Sequence, residues 1–228
     1  MSEHLHRDLQ QVRRDVLAMG GLAEEALDLA RSAYTNRDES AARSLKQLDR
    51  KIDRMQLDID DHILKLLALH QPVAGDLRFV MAAMKIVNDL ERIGDLAAAI
   101  SFRLVHIVNS PPLGEKVRID EMMLRVAAML RNALNSFVEG DAALAREVIR
   151  TDDEIDDMNR EHLTTLIERM KRDPDAVDTA VAQISISRGV ERIADLATNI
   201  AEDVVFVVEA QDIRHPSLSA KAGEESNP

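Results

Sequence analysis

From Leu5 the apolar positions step by four and three residues, through Leu9, Val12, Val16, Met19, Ala23, Ala26 and Ala30 to Ala33. Such a stripe is the signature of an amphipathic helix, and it predicts one over 4–34, roughly 45 Å long at 1.5 Å per residue. A polar turn with Asn36 and Asp38 precedes a second stripe, Leu45, Leu48, Ile52, Met55, Ile59, Leu66 and Leu69, which predicts a helix over 40–69. Pro72 pushes its predecessor out of the α region and Gly75 is free to turn, so the segment from Gln71 to Gly75 separates that helix from a third over 76–108. Asn109-Ser110-Pro111-Pro112-Leu113-Gly114, near the midpoint, is the strongest break in the chain, and a linker is expected over 109–116. Beyond it the order repeats. Helices are expected over 117–138, from the Glu139-Gly140-Asp141 turn to Lys171, and, after Asp173-Pro174, over 175–210, with a loose tail at 214–228.

The two halves also agree in their residues. Glu91-Arg92-Ile93-Gly94-Asp95-Leu96-Ala97 recurs 100 positions on as Glu191-Arg192-Ile193-Ala194-Asp195-Leu196-Ala197. Asp49-Arg50-Lys51-Ile52-Asp53 recurs 103 positions on as Asp152-Asp153-Glu154-Ile155-Asp156, each followed two residues later by a methionine, Met55 and Met158. A period of that length implies a duplicated module. The expected fold is therefore all-α, two tandem pseudo-repeated three-helix bundles of six long helices, spanning 1–108 and 117–213. Leu48, Ile52, Met55, Val87, Leu90 and Ile93 are expected in the first core.

Composition agrees with helix, since five aromatic residues, eight glycines and six prolines in 228 positions supply too few turns for a sandwich or barrel. The 41 acidic against 29 basic residues, a net charge of −12, argue against nucleic acid or an anionic membrane as the main partner. The absence of cysteine excludes disulfides, thiolate metal sites and thiol catalysis. No stretch reads as a signal peptide or membrane span, and a cytoplasmic location is expected.

Carboxylates four residues apart on a helix point the same way, about 5–6 Å apart at Cβ. Glu91 with Asp95 and Glu191 with Asp195 form such pairs, and Asp49 with Asp53 and Asp152 with Asp156 form matching pairs on the preceding helix of each half. If the pairs face each other, four carboxylates converge per bundle, an oxygen-only set suited to magnesium, manganese, iron, calcium or carboxylate-held zinc. Taken singly, each pair has an ordinary reading, for chance alone gives roughly seven acidic pairs at this spacing. Arg92 and Arg192 stand three residues before Asp95 and Asp195 as ready ion-pair partners. Recurrence of both pairs at corresponding places favours the metal reading. Asn199 adds an oxygen one turn beyond Asp195, where the first half has Ala99.

Enzymatic readings find little support. No Glu-x-x-His step falls on the helices that carry the acidic repeats, as a di-iron bundle requires, and no nucleotide loop or nucleophile elbow occurs. His62 is expected as a core histidine. Gly20-Gly21 within the first helix costs roughly 2 kcal/mol relative to two alanines, which suggests a kink or close helix approach, or else a partner surface. No cluster of basic groups and backbone donors stands out along the chain, so the sequence gives no argument for a phosphate ligand.

Met19-Gly20-Gly21, Gln71-Pro72 followed by Asp76-Leu77-Arg78, the two Glu-Arg-Ile-x-Asp segments and Gln211-Asp212-Ile213-Arg214-His215 together resemble the PhoU family of bacterial phosphate-signalling regulators, over about Leu9 to His215. The resemblance implies a cytoplasmic adaptor, often a homodimer, with no catalytic activity. Such an adaptor represses the phosphate-starvation response and modulates high-affinity uptake. It acts between the ATPase subunit of the phosphate ABC transporter and a membrane sensor histidine kinase, meeting the membrane only through these partners. It also implies metal ions (iron, zinc, manganese or magnesium) bound through Glu/Asp-x-x-x-Asp motifs, which match Asp49 with Asp53, Glu91 with Asp95, Asp152 with Asp156, and Glu191 with Asp195. A metal-dependent helical enzyme, a metal-storage protein and a purely structural bundle are the competing readings.

Overall fold

The computed structural model describes residues 3–114 and 117–213. Six long helices follow in order: α1 (Glu3–Asn36), α2 (Glu39–His70), α3 (Ala74–Val108), α4 (Ile119–Glu139), α5 (Ala142–Arg172) and α6 (Val177–Glu209). A single 3-10 turn, Pro174–Ala176, leads into α6, and no strand occurs among the described residues. The helices match the periodicity, with α4 starting two residues later than expected. The expected tail at 214–228, and Glu115 and Lys116 of the expected linker, lie outside the described residues.

The repeat extends to the turns. Arg37 and Gly140, 103 positions apart, both adopt left-handed backbone, with φ of 53° and 67°. The aspartates that follow cap the next helix: Asp38 accepts from the Ser40 and Ala41 amides, and Asp141 from those of Ala143 and Leu144. Each cap satisfies donors that have no intrahelical partner. An arginine in this backbone conformation is strained relative to glycine. Its guanidinium, however, donates to the carbonyls of Ile107, Val108 and Ser110 and so caps the C-terminal end of α3.

Within each half the three helices pack on one another, and the halves meet where α3 runs along α6 and α1 lies against α4. The α3–α6 pair is antiparallel, since Lys85 reaches Asp203 and Ile100 lies against Gly189. Two separate cores are not found. The buried residues of both halves form one continuous cluster, because α3 and α6 carry apolar residues on more than one face. Leu48, Ile52, Val87, Leu90 and Ile93 are buried as expected, whereas Met55 is only partly buried at the edge. His62 is likewise not a core residue; it is half-buried, 3.5 Å from Asp15 of α1.

The glycine pair divides in role. A Cβ on Gly20 would lie 2.4 Å from Leu134 Cδ1, so this glycine permits close approach of α1 and α4. Gly21 is exposed, and a Cβ there would meet nothing within 4 Å. Gly21→Ala should therefore stabilise the protein by about 0.5–1 kcal/mol through backbone entropy alone. For a chain of this size that is a rise in Tm of about 1–4 °C in a thermal melt; a fall would contradict the open surroundings of this position.

Candidate functional site

Both acidic faces assemble as the helix spacing predicts. In the first half α2 supplies Asp49 and Asp53 and α3 supplies Glu91 and Asp95; in the second, α5 supplies Asp152 and Asp156 and α6 supplies Glu191 and Asp195. Leu48, Ile52 and Ile93 beside the first set, and Ile155 and Ile193 beside the second, are buried in the core and hold the carboxylates at the seam between their two helices.

The carboxylates of each set lie near enough to repel one another. Burial first, and then the neighbouring charges of Asp53 and Asp95, push the Asp49 carboxyl above its ordinary value. Glu91 is raised by burial and by Asp95, Asp53 and Asp49. The second half repeats this. Asp152 is raised by burial, Asp195 and Asp156, Glu191 by burial, Asp195, Asp156 and Asp152, and Asp195 by burial and Asp156. These are the two known causes of a raised carboxyl, desolvation and like charge, acting together.

The ordinary reading of these carboxylates required ion pairs, and they are missing. Among the described residues none of the eight makes a salt bridge, while Arg92 turns instead to Asp89, 3.5 Å away. Asp49 Oδ1 is buried with no hydrogen-bond partner, seated over Gly94, whose missing Cβ would stand only 3.3 Å from it. Among the described residues no three His, Asp or Glu side chains form a closed metal-holding cluster. Arg50, Arg92 and Arg192 lower Asp49, Glu91, Glu191 and Asp195 only in part, against burial and the neighbouring carboxylates. Their oxygen-only chemistry, the absence of salt bridges to them among the described residues and the orphaned Asp49 oxygen suit a hard divalent ion.

Asn199 stands with Asp195 in a cavity of about 310 Å³ of the α3–α6 groove, together with Arg92, Asp95 and Arg192, and it also borders a second with Lys85, Asn88, Asp89 and Asp203. Thr198 of α6 lies beside Asp152, where its hydroxyl partly offsets the rise in the Asp152 pKa. Thr198 is one residue from Asn199 in sequence, and the stripe of four-residue steps passes over it.

Further polar groups in the α3–α6 groove carry no periodic signal. Asp89 and Asp203 are buried, and Lys85 lies 3.0 Å from Asp203 and above the Phe206 ring. Desolvation, the largest cause, pushes the Asp89 pKa to about 6 against the lowering effect of Arg92.

An all-α chain of two repeated three-helix bundles, each with a carboxylate face at a helix seam, is a duplicated helical module. The model of the PhoU domain matches it twice, at residues 16–104 and 119–204. The chain belongs to the PhoU family. A phosphate-specific transport system accessory protein PhoU homolog of Pseudomonas putida is 35% identical over 98% of this chain and 88% of its own length. The crystal structure of PhoU from Pseudomonas aeruginosa superposes with a TM-score of 0.87 at 34% identity, covering 90% of this chain and 99% of that one. The structure of the phosphate transport system regulatory protein PhoU from Streptococcus pneumoniae gives 0.85 at 26% identity, over 92% and 99%. No helix of the described residues is long and apolar enough to cross a membrane.

Proposed function

We propose that this protein is a cytoplasmic, non-enzymatic negative regulator of the phosphate-starvation response. In this reading it links the ATPase subunit of a phosphate ABC transporter to a sensor histidine kinase, and works as a homodimer. The observation that carries the reading is the match of both helical halves to the PhoU domain, together with the accessory and regulatory names of its relatives. Rigid, continuous helix faces on a shared core suit docking to partners.

In the same proposal the two acidic faces hold divalent metal ions, manganese, iron, zinc or magnesium, through Asp49, Asp53, Glu91 and Asp95 and through Asp152, Asp156, Glu191 and Asp195. A bound ion supplies the positive charge that these carboxylates lack. The residues' own part is to hold eight oxygen-bearing groups at two helix seams, and their convergence orders those seams when the charge is neutralised.

Deleting the gene should leave phosphate-starvation genes expressed in phosphate-rich medium, read as alkaline phosphatase activity well above that of the parent strain. Unchanged repression in a strain with no second copy of the gene would refute the adaptor reading.

A further inference from the structure

The groove between α3 and α6 is built twice by the repeat, and its two ends have diverged in charge. One end is lined by Lys85, Asn88, Asp89, Asn199 and Asp203, where lysine and buried carboxylates offset one another. The other is a cavity of about 320 Å³ lined by Arg103, Arg188, Arg192, Ser185, Gly189 and Ile100, among others. At the repeat distance of 100 positions, Asp203 is replaced by Arg103, Asn88 by Arg188 and Asp89 by Gly189, while Arg92 is kept as Arg192. A role confined to joining the halves gives no reason for one end to lose both carboxylates and gain two guanidinium groups.

Among the described residues none of these three arginines makes a salt bridge, in a chain of net charge −12, although Arg192 also borders Asp195 and lowers its pKa. Elsewhere Arg118, Arg125, Arg131, Arg146 and Arg169 each hold a carboxylate within 3 Å. The space is also maintained by the backbone. A Cβ on Gly189 would stand 2.8 Å from both Ile100 Cδ1 and Cγ1, so the helices approach closely there and no side chain fills the opening. The Ser185 hydroxyl donates to the Val181 carbonyl, which leaves its oxygen as an acceptor and the guanidinium groups as the donors of the cavity.

Three adjacent guanidinium groups repel one another unless an anion sits between them, and each presents a planar fork that matches oxyanion geometry. A single carboxylate carries one charge and two oxygens and leaves most of these donors unused. We infer that this cavity binds a multiply charged phosphoryl oxyanion, either inorganic phosphate or a short condensed phosphate, with Arg103, Arg188 and Arg192 as its ligands. The chain alone hid this group because its members lie on two helices, 85 and 89 residues apart from Arg103.

Isothermal titration calorimetry of the full chain, at low ionic strength and with chelator present, tests the inference with phosphate, pyrophosphate, triphosphate and sulfate. Saturable one-to-one binding of at least one phosphoryl anion is expected. Arg103→Gln and Arg188→Gln should each weaken it at least tenfold, while Lys46→Gln, an exposed charge beside a different cavity, should leave it unchanged. Circular dichroism and thermal melts confirm that these surface variants remain folded. The relative affinities of phosphate, pyrophosphate and triphosphate separate a free-phosphate site from a condensed-phosphate one. Absence of saturable binding by all three, equal loss in the Lys46 variant, or sulfate binding as tightly as pyrophosphate would overturn the assignment. Because the chelator removes metal-bridged binding, failure here leaves the metal proposal standing, and failure of the metal proposal leaves this one.

Discussion

Adding manganese to chelator-stripped protein should raise its Tm by roughly 5–10 °C for each occupied acidic face. A ligand at about 100 times its dissociation constant, bound by the folded state alone, contributes about 2.7 kcal/mol, and each kcal/mol moves Tm by about 2–4 °C in a chain of this length. The cause lies in the metal-free state. Asp49, Glu91, Asp152, Glu191 and Asp195 are all held above their ordinary pKa by burial and by one another, with no ion pair to relieve them. Glu191→Gln with Asp195→Asn preserves size and hydrogen bonding while removing two charges. That variant should lose the part of the manganese response due to the second half and keep the part due to the first. Asp49→Asn with Asp53→Asn should do the reverse. Each metal-free variant should melt at or slightly above the parent temperature, since repulsion has been removed. A full manganese response in all four-carboxylate combinations, or severe destabilisation without metal, would return these residues to an ordinary structural role. Asn199, in one cavity with Asp195, offers the second half an oxygen that Ala99 does not offer the first, so the second half should respond more strongly.

Asp89 should make the metal-free protein more stable as the pH falls from 7.5 to about 5. Its folded-state pKa, about 6, stands above the ordinary aspartate value of 3.8. A raised carboxyl contributes stability that is fully present below the unfolded value and is lost as the pH rises through the folded one. At neutral pH the buried charge therefore costs on the order of 3 kcal/mol, at 1.36 kcal/mol per pKa unit. The raised carboxyls of the acidic faces act in the same direction. Buried His162 acts in the opposite one: desolvation lowers its pKa, so the stability it contributes is present above about 6.5 and lost as the pH falls through its folded value. Asp38, Glu39, Glu121, Glu168 and Glu209, each lowered by hydrogen bonds, lose their contributions only as the pH falls below the ordinary carboxyl range. Asp89→Asn isolates one term from the rest. In chelator, the difference in Tm between variant and parent should be several degrees at pH 7.5 and should shrink between pH 6 and pH 4. A difference that is constant with pH, or a variant less stable at pH 7.5, would mean that the Arg92 and Lys85 charges hold Asp89 ionised at no cost.

The acidic faces were legible because each member of a pair is four residues from the other on one helix, and the duplicated motif placed the facing pair on the neighbouring helix. The groove residues had no such mark. Lys85 and Asp203, or Arg103 and Arg188, become neighbours only because α3 and α6 run antiparallel, and nothing in the spacing of one helix reports which part of another lies beside it. The same limit explains Thr198: the stripe of four-residue steps through Glu191, Asp195 and Asn199 passes over it, and only the packing of α6 on α5 brings it beside Asp152. It also explains His62, whose place on an apolar stripe becomes a boundary position once Asp15 of α1 packs beside it.

The sequence by itself determined the six helices, the turns between them, the duplication and the eight carboxylates, because local backbone energetics and the 3.6-residue period act within a helix or across one turn. Only the tertiary structure decided that the two halves share one core, that those carboxylates stand without ion pairs, and that the α3–α6 groove is acidic at one end and basic at the other. Those properties depend on the crossing and register of helices far apart in the chain, which are set by packing against all their neighbours at once.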